Sequence, residues 1–230
     1  MTIHRHFEDQ LQELKGRLMT MGTAAESMIE RAVKSLLDRD AGRHPDVFST
    51  EREVNELHME VDERVINLIA LHHPVAADLR LAVMCSKIAG ELERIGDQAV
   101  NICQNTAELL RYPPLKPLID IPLMAEIARR MLRESLDAFV RQDAVLAQKV
   151  LNADDEVDAF KNQIFRELLT YMMADPATIP RALSLILISR NLERVGDHAT
   201  NIAEEVIYWI QGRDIRHHHA DVAGLESNAT

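Results

Sequence analysis

Apolar residues recur at alternating spacings of four and three along the start of the chain, at Phe7, Leu11, Leu14, Leu18, Met21, Ala25, Met28 and Ala32. That period puts them on one stripe of a helix about 45 Å long, at 1.5 Å rise per residue. Gly42 and Pro45, within residues 39–45, predict its end. A second helix is expected from about residue 47, burying Val54, Leu57, Val61, Val65 and Leu68, until His72, His73 and Pro74 stop it. A third carries Leu81, Cys85, Ile88, Leu92, Ile95, Ala99, Ile102, Thr106 and Leu109 in the same spacing. Residues 112–122 then hold four prolines and no helical period, as a linker would. After it the cycle restarts, with helices expected over about 123–151, 154–173 and 178–211.

The third and sixth predicted helices share more than a period. Adding one hundred to the seam positions of the third gives Leu185, Ile188, Leu192, Val195, Ala199, Ile202, Val206 and Trp209. Within them LERIGDQAVNI (92–102) and LERVGDHATNI (192–202) agree at eight of eleven positions. The chain therefore reads as all-α, a tandem pair of three-helix bundles made of six long helices by internal duplication. Each unit alone leaves an apolar stripe that only neighbouring helices can cover. The expected organisation is 1–113 for the first bundle, 114–122 for a proline-rich linker, 123–213 for the second bundle and 214–230 for a disordered tail. His217, His218 and His219 in that tail offer a weak metal-binding possibility beside the ordinary reading of a fraying end.

Composition narrows the function classes. Aromatic residues are only 4% of the 230, so the core must be aliphatic, which suits helix packing. A net charge of -11 argues against a nucleic-acid surface, which needs a basic footprint. Cys85 and Cys103 fall at helical positions and read as reduced core thiols. The N-terminus is amphipathic at once, with no apolar core of a signal peptide, and the most apolar run is far below the roughly 18 residues that span a bilayer. A cytoplasmic protein is expected, held at any membrane only through partners.

The candidate chemistry lies in carboxylates. Glu93 and Asp97 leave one helix face at i and i+4, and Glu193 and Asp197 repeat them. The bland alternative is a solvated acidic edge paired to nearby arginines. Two features favour a site. The row is kept in both copies together with Gly96 and Gly196, although glycine inside a helix costs about 1 kcal/mol; close approach of a helix or ligand would offset that. The hairpins also bring Glu51 and Asn55 beside Glu93 and Asp97, and Asp154 and Asp158 beside Glu193 and Asp197. Like charges so close must be protonated, solvated or bound by a cation. Oxygen donors suit Mg, Ca, Mn or Fe. His198 lies about 140 degrees around the helix from Glu193 and is left out of the ligand set.

Two LERxGDxAxNI segments, preceded by TEREVNEL and NADDEVDAF, resemble the PhoU family of phosphate-transport regulatory proteins over about residues 6–211. The resemblance implies two similar three-helix bundles and no enzymatic activity. It implies metal sites for divalent or trivalent ions (iron, zinc or others), formed by Glu51, Asn55, Glu93 and Asp97 and by Asp154, Asp158, Glu193 and Asp197. Asn55 departs from the family motif, which has Asp there, so the first site is expected to hold metal less well. The implied role is negative regulation of phosphate uptake and of the phosphate-starvation response. Its partners would be the phosphate ABC transporter ATPase subunit, a membrane sensor histidine kinase and a second copy in a homodimer. A structural scaffold and a carboxylate–metal hydrolase are the alternatives.

Overall fold

Six long helices and one short one account for nearly all of the chain in the computed structural model, which describes residues 2–213 and 215. They are α1 (Thr2–Asp38), α2 (His44–His72), α3 (Ala77–Leu109), α4 (Asp120–Arg141), α5 (Ala144–Asn152), α6 (Asp154–Ala174) and α7 (Ile179–Gln211). The expected tail, with its three consecutive histidines, lies outside the described residues.

The breaks fall where the backbone chemistry requires. α1 gives way at Arg39, which takes a left-handed φ of 53°, and Asp40 then accepts a hydrogen bond from the Gly42 amide at 2.8 Å. Pro45 sits in the first turn of α2, where a missing amide hydrogen is harmless. His73 ends α2 in the left-handed region just before Pro74. Asp175 caps the short turn before α7, and Gly212, at φ 67°, closes α7.

One expected helix is two. The stretch 123–151 is interrupted at Gln142, which is left-handed at φ 55°. Asp143 then caps a new helix by accepting from the amides of Val145 and Leu146, both at 2.9 Å. An Asp that can satisfy two free amides competes with helix continuation, and the apolar period runs on through the break, which hid it.

Each half is a three-helix unit: α1–α2–α3, and α4 with α6 and α7, to which α5 adds a short fourth piece. α3 and α7 are the centre of the molecule. α3 packs on α1, α2 and α7; α7 packs on α3, α4, α5 and α6. Their seams are fully buried, Leu92 and Ile102 in α3 matching Leu192 and Ile202 in α7, and all join one continuous core. Each such buried aliphatic side chain contributes about 1.5–3 kcal/mol. Cys85 and Cys103 are free and buried in it, and burial pushes both thiols up to about 12.

The halves also meet at α1 and α4. There Leu136 Cδ1 fills the space that a Cβ on Gly22 would take. Around that contact Arg129 bonds Glu30 at 2.9 Å, and Arg133 pairs with Glu26. Across the central contact Lys87 Nζ of α3 reaches Glu205 Oε1 of α7 at 2.8 Å. Glu91 of α3 receives His198 Nδ1 at 2.8 Å and Asn201 Nδ2 at 3.0 Å from α7. Position 87 meets 205 and position 91 meets 198, so α3 and α7 run antiparallel.

Candidate functional site

In the first half the α2–α3 hairpin sets Glu51 and Asn55 at the level of Glu93 and Asp97. Asn55 Nδ2 donates to Glu51 Oε1 at 2.5 Å, while Asn55 Oδ1 is buried with no hydrogen-bond partner. Burial is the first cause raising the Glu93 carboxyl, followed by the charge of Asp97, with Glu51 adding to it and His58 and Arg94 opposing. Asp97 is likewise raised by burial and then by Glu51, with His198 opposing. The three carboxylates thus share one electrostatic neighbourhood, and a buried carbonyl oxygen beside them lacks a donor.

In the second half α6 and α7 bring Asp154 and Asp158 to Glu193 and Asp197. Asp197 is pushed up to about 6, first by burial, then by Glu193 and Asp154. Asp154 is raised by burial and by Asp158, Asp155 and Glu193, with Lys161 opposing. Lys161 supplies a cation of the protein's own: its Nζ lies 2.7 Å from Asp158 Oδ1 and 2.9 Å from Glu193 Oε1. Those two carboxylates hold the lysine firmly protonated, at about 12.

Both hairpins therefore assemble the residues their sequence positions suggested. The donor set is oxygen throughout, which fits a hard cation. The orphaned Asn55 Oδ1 fits an unmet positive ligand in the first cluster. Among the described residues, no group of three or more His, Cys, Asp or Glu side chains is set to hold a metal ion as it stands. The clusters are crowded rather than caged.

The glycines play a smaller part than their retention suggested. A Cβ on Gly196 would meet Val157 Cγ1 at 3.6 Å, Asp154 Oδ1 at 3.7 Å and Met131 Cε at 3.7 Å. On Gly96 it would meet Met28 Cε at 3.4 Å and Val54 Cγ1 at 3.8 Å. These are ordinary contacts with side-chain ends, not a close backbone approach.

Sequence reasoning missed three participants. Lys161 was legible as the i+3 neighbour of Asp158. His58 follows Asn55 by three on α2, near enough to act on Glu93. Glu91 showed only Arg94 as its i+3 neighbour, since its other partners, His198 and Asn201, come from α7. Burial pushes its carboxyl up, but the hydrogen bonds of His198 and Asn201 and the charges of His198 and Arg94 outweigh this and hold it low. His198, left out of the ligand set on its helical angle, points to Glu91 of α3. A separate cavity of about 260 Å³ lies beside the linker, lined by Leu36, Leu109, Pro113, Leu118 and other residues, none of them a carboxylate.

Comparison with known proteins places this geometry. The PhoU domain model matches residues 18–106 and 121–206, once per half. The chain is 34% identical over 231 residues to the phosphate-specific transport system accessory protein PhoU of Escherichia coli K12, covering 98% of this chain and 96% of that one. It is 38% identical over 216 residues to the PhoU homolog of Pseudomonas aeruginosa, covering 94% and 89%. The crystal structure of PhoU from Pseudomonas aeruginosa superposes with a TM-score of 0.87 at 37% identity, over 90% of this chain and all of that one. A regulatory PhoU protein from Streptococcus pneumoniae, 22% identical, shares the fold at a TM-score of 0.83 over 90% of this chain and 98% of that one.

Proposed function

The chain belongs to the PhoU family, and from that premise we propose that it works as a metal-binding adaptor that represses phosphate uptake and the phosphate-starvation response. Its general role is that of a regulatory accessory protein of phosphate transport, not an enzyme. The finer reading joins the ATPase subunit of the phosphate ABC transporter to a membrane sensor histidine kinase. No described helix is long and apolar enough to cross a membrane, so the adaptor would reach the membrane through those partners, acting in the cytoplasm and as a homodimer.

The crowding of the second cluster carries the metal part of this reading. A carboxyl raised to about 6 between two other carboxylates is a site where a cation lowers the free energy of the charged form. The ligands would be Glu51, Asn55, Glu93 and Asp97 in the first half and Asp154, Asp158, Glu193 and Asp197 in the second. Divalent or trivalent iron, Zn, Mn, Mg or Ca would each meet oxygen donors there. Bound metal supplies positive charge that ties α2 to α3 and α6 to α7. A metal that binds only the folded state stabilises it through linkage.

One observation favours a plainer scaffold reading: Lys161 already neutralises part of the second cluster. Affinity capture from phosphate-replete cells, with and without chelator, separates the two. Recovery of the ATPase subunit or the kinase, diminished by chelator, supports the adaptor. Recovery of neither from an intact fold, with no bound metal above background, supports the scaffold.

A further inference from the structure

Glu51, Asn55, His58 and Asp62 follow one another on α2 at spacings of four, three and four, so they share one helix face. The corresponding row on α6, one hundred and three positions later, is Asp154, Asp158, Lys161 and Phe165. The first two members of each row belong to the two clusters. The third differs in kind. The second half sets an ammonium against its own carboxylates, whereas the first half carries an imidazole at that position.

The surroundings of that imidazole are also particular to the first half. His58 Nε2 lies 3.5 Å from Asp62 Oδ2. The other oxygen of Asp62 accepts the Ser86 hydroxyl of α3, which ties the carboxylate to both helices of the hairpin. Gly90 of α3 leaves room for the ring, since a Cβ there would stand 3.9 Å from His58 Nε2. In the second half Phe165 takes the place of Asp62 and Ile186 the place of Ser86, so the whole polar chain is gone. The ring also reaches the cluster electrostatically, because the charge of His58 opposes the rise of the Glu93 carboxyl. A histidine that ligates a metal through one nitrogen commonly gives its other N–H to a carboxylate, which fixes the tautomer. Asp62 favours the proton on Nε2 and so leaves the lone pair on Nδ1, an atom with no hydrogen bond to any described residue. The plain alternative is a solvated i, i+4 ion pair. It leaves the buried Asn55 Oδ1, three residues earlier on the same face, without a partner.

We propose that His58 is a nitrogen ligand of the first cluster, oriented by Asp62 and Ser86, and that it fits this site to Zn rather than to a hard cation. Imidazole suits Zn, whereas carboxylate and amide oxygens alone suit Mg, Ca and Mn. The inference rests on the metal reading of the first cluster and makes the two clusters differ in chemistry as well as in charge. Charge favours the second cluster for a hard cation such as Mn. The nitrogen reverses that order for Zn, because Lys161, at the same place in the second half, is a charged group with no lone pair to give.

The test uses the full chain carrying Asp154→Asn and Asp197→Asn, which disable the second cluster. It also carries His217→Ala, His218→Ala and His219→Ala, which remove the run of adjacent histidines. Zn and Mn affinities are read by calorimetric titration, and the neighbours of bound Zn by X-ray absorption. The expected result is Zn with one imidazole beside its oxygen neighbours. His58→Gln should abolish the imidazole signal and lower Zn affinity about tenfold or more, with Mn affinity changed about twofold at most and helicity by circular dichroism unchanged. Asp62→Asn should keep the imidazole signal and lower Zn affinity about tenfold. If Zn binds with oxygen neighbours only, or if its affinity ignores His58→Gln, the inference is overturned and the metal reading stands. Equal losses of Zn and Mn affinity in His58→Gln overturn it too, since they show a structural role. Zn affinity unchanged in Asp62→Asn overturns the orienting part. If neither Zn nor Mn binds this chain or the native one, the metal reading fails and the inference falls with it.

Discussion

The Lys161 ammonium sits 2.9 Å from Glu193 Oε1, so α6 provides α7 with a positive charge inside the cluster proposed to hold a metal. Any cation that enters there must displace this lysine or share its carboxylates. Lys161→Met should therefore have opposite effects in the two states. In chelator-treated protein the lost pairing, which is partly exposed, costs about 1 kcal/mol and lowers Tm by about 2–4 °C. Adding Mn should raise Tm further in the variant than in the native chain. Differential scanning calorimetry with and without Mn measures both, and a smaller Mn shift in the variant contradicts the competition.

Asn55 gives the first cluster one fewer negative charge than the second, and its amide is committed to Glu51 at 2.5 Å. The second site is expected to retain more metal than the first during dialysis against chelator. Asn55→Asp replaces that hydrogen bond with repulsion in the metal-free protein and adds a ligand charge in the loaded one. Its first-site Mn affinity should rise about tenfold by calorimetric titration, one tenfold step being about 1.4 kcal/mol. Loss of metal from the second site first would contradict the asymmetry.

Asp197 is pushed up to about 6 from an ordinary 3.8. Between those values the folded, metal-free protein holds a proton that the unfolded chain has released. Stability therefore falls as pH rises from about 3.8 to about 6 and stays lowered above that. Asp197→Asn removes this penalty. In chelator it should stabilise the protein at pH 7 by about 1 kcal/mol, allowing for the water that screens the partly exposed carboxyl, and have little effect near pH 3.5. Urea unfolding at the two pH values tests the sign.

Gly196 sits inside α7 with room for a methyl group. Gly196→Ala should add about 1 kcal/mol of helix stability and raise Tm by about 2–4 °C in metal-free protein. A fall in Tm would mean that Val157, Asp154 or Met131 cannot yield, restoring the close-approach account of this glycine.

The seams of α1, α3 and α7 were legible because burial follows a period the chain writes locally: Leu92 and Leu192, one hundred positions apart, both lie fully inside. The clusters were legible for a related reason. A hairpin of two helices with a short turn fixes which residues stand level, so Glu51 and Glu93, or Asp154 and Asp197, could be paired by counting from the turn. The break at Gln142 was less visible, because Asp143 ends one helix and caps the next without disturbing the apolar period.

By itself, then, the sequence determined the two-copy helical architecture and the candidate oxygen ligands, since both depend on spacing within one hairpin. Only the tertiary structure decided how the copies meet. Glu91 found His198 and Asn201, Lys87 found Glu205, and Gly22 admitted Leu136 through contacts between segments about a hundred residues apart. Nothing in local periodicity encodes such a pairing, which is set by how two seams bury each other when they pack antiparallel.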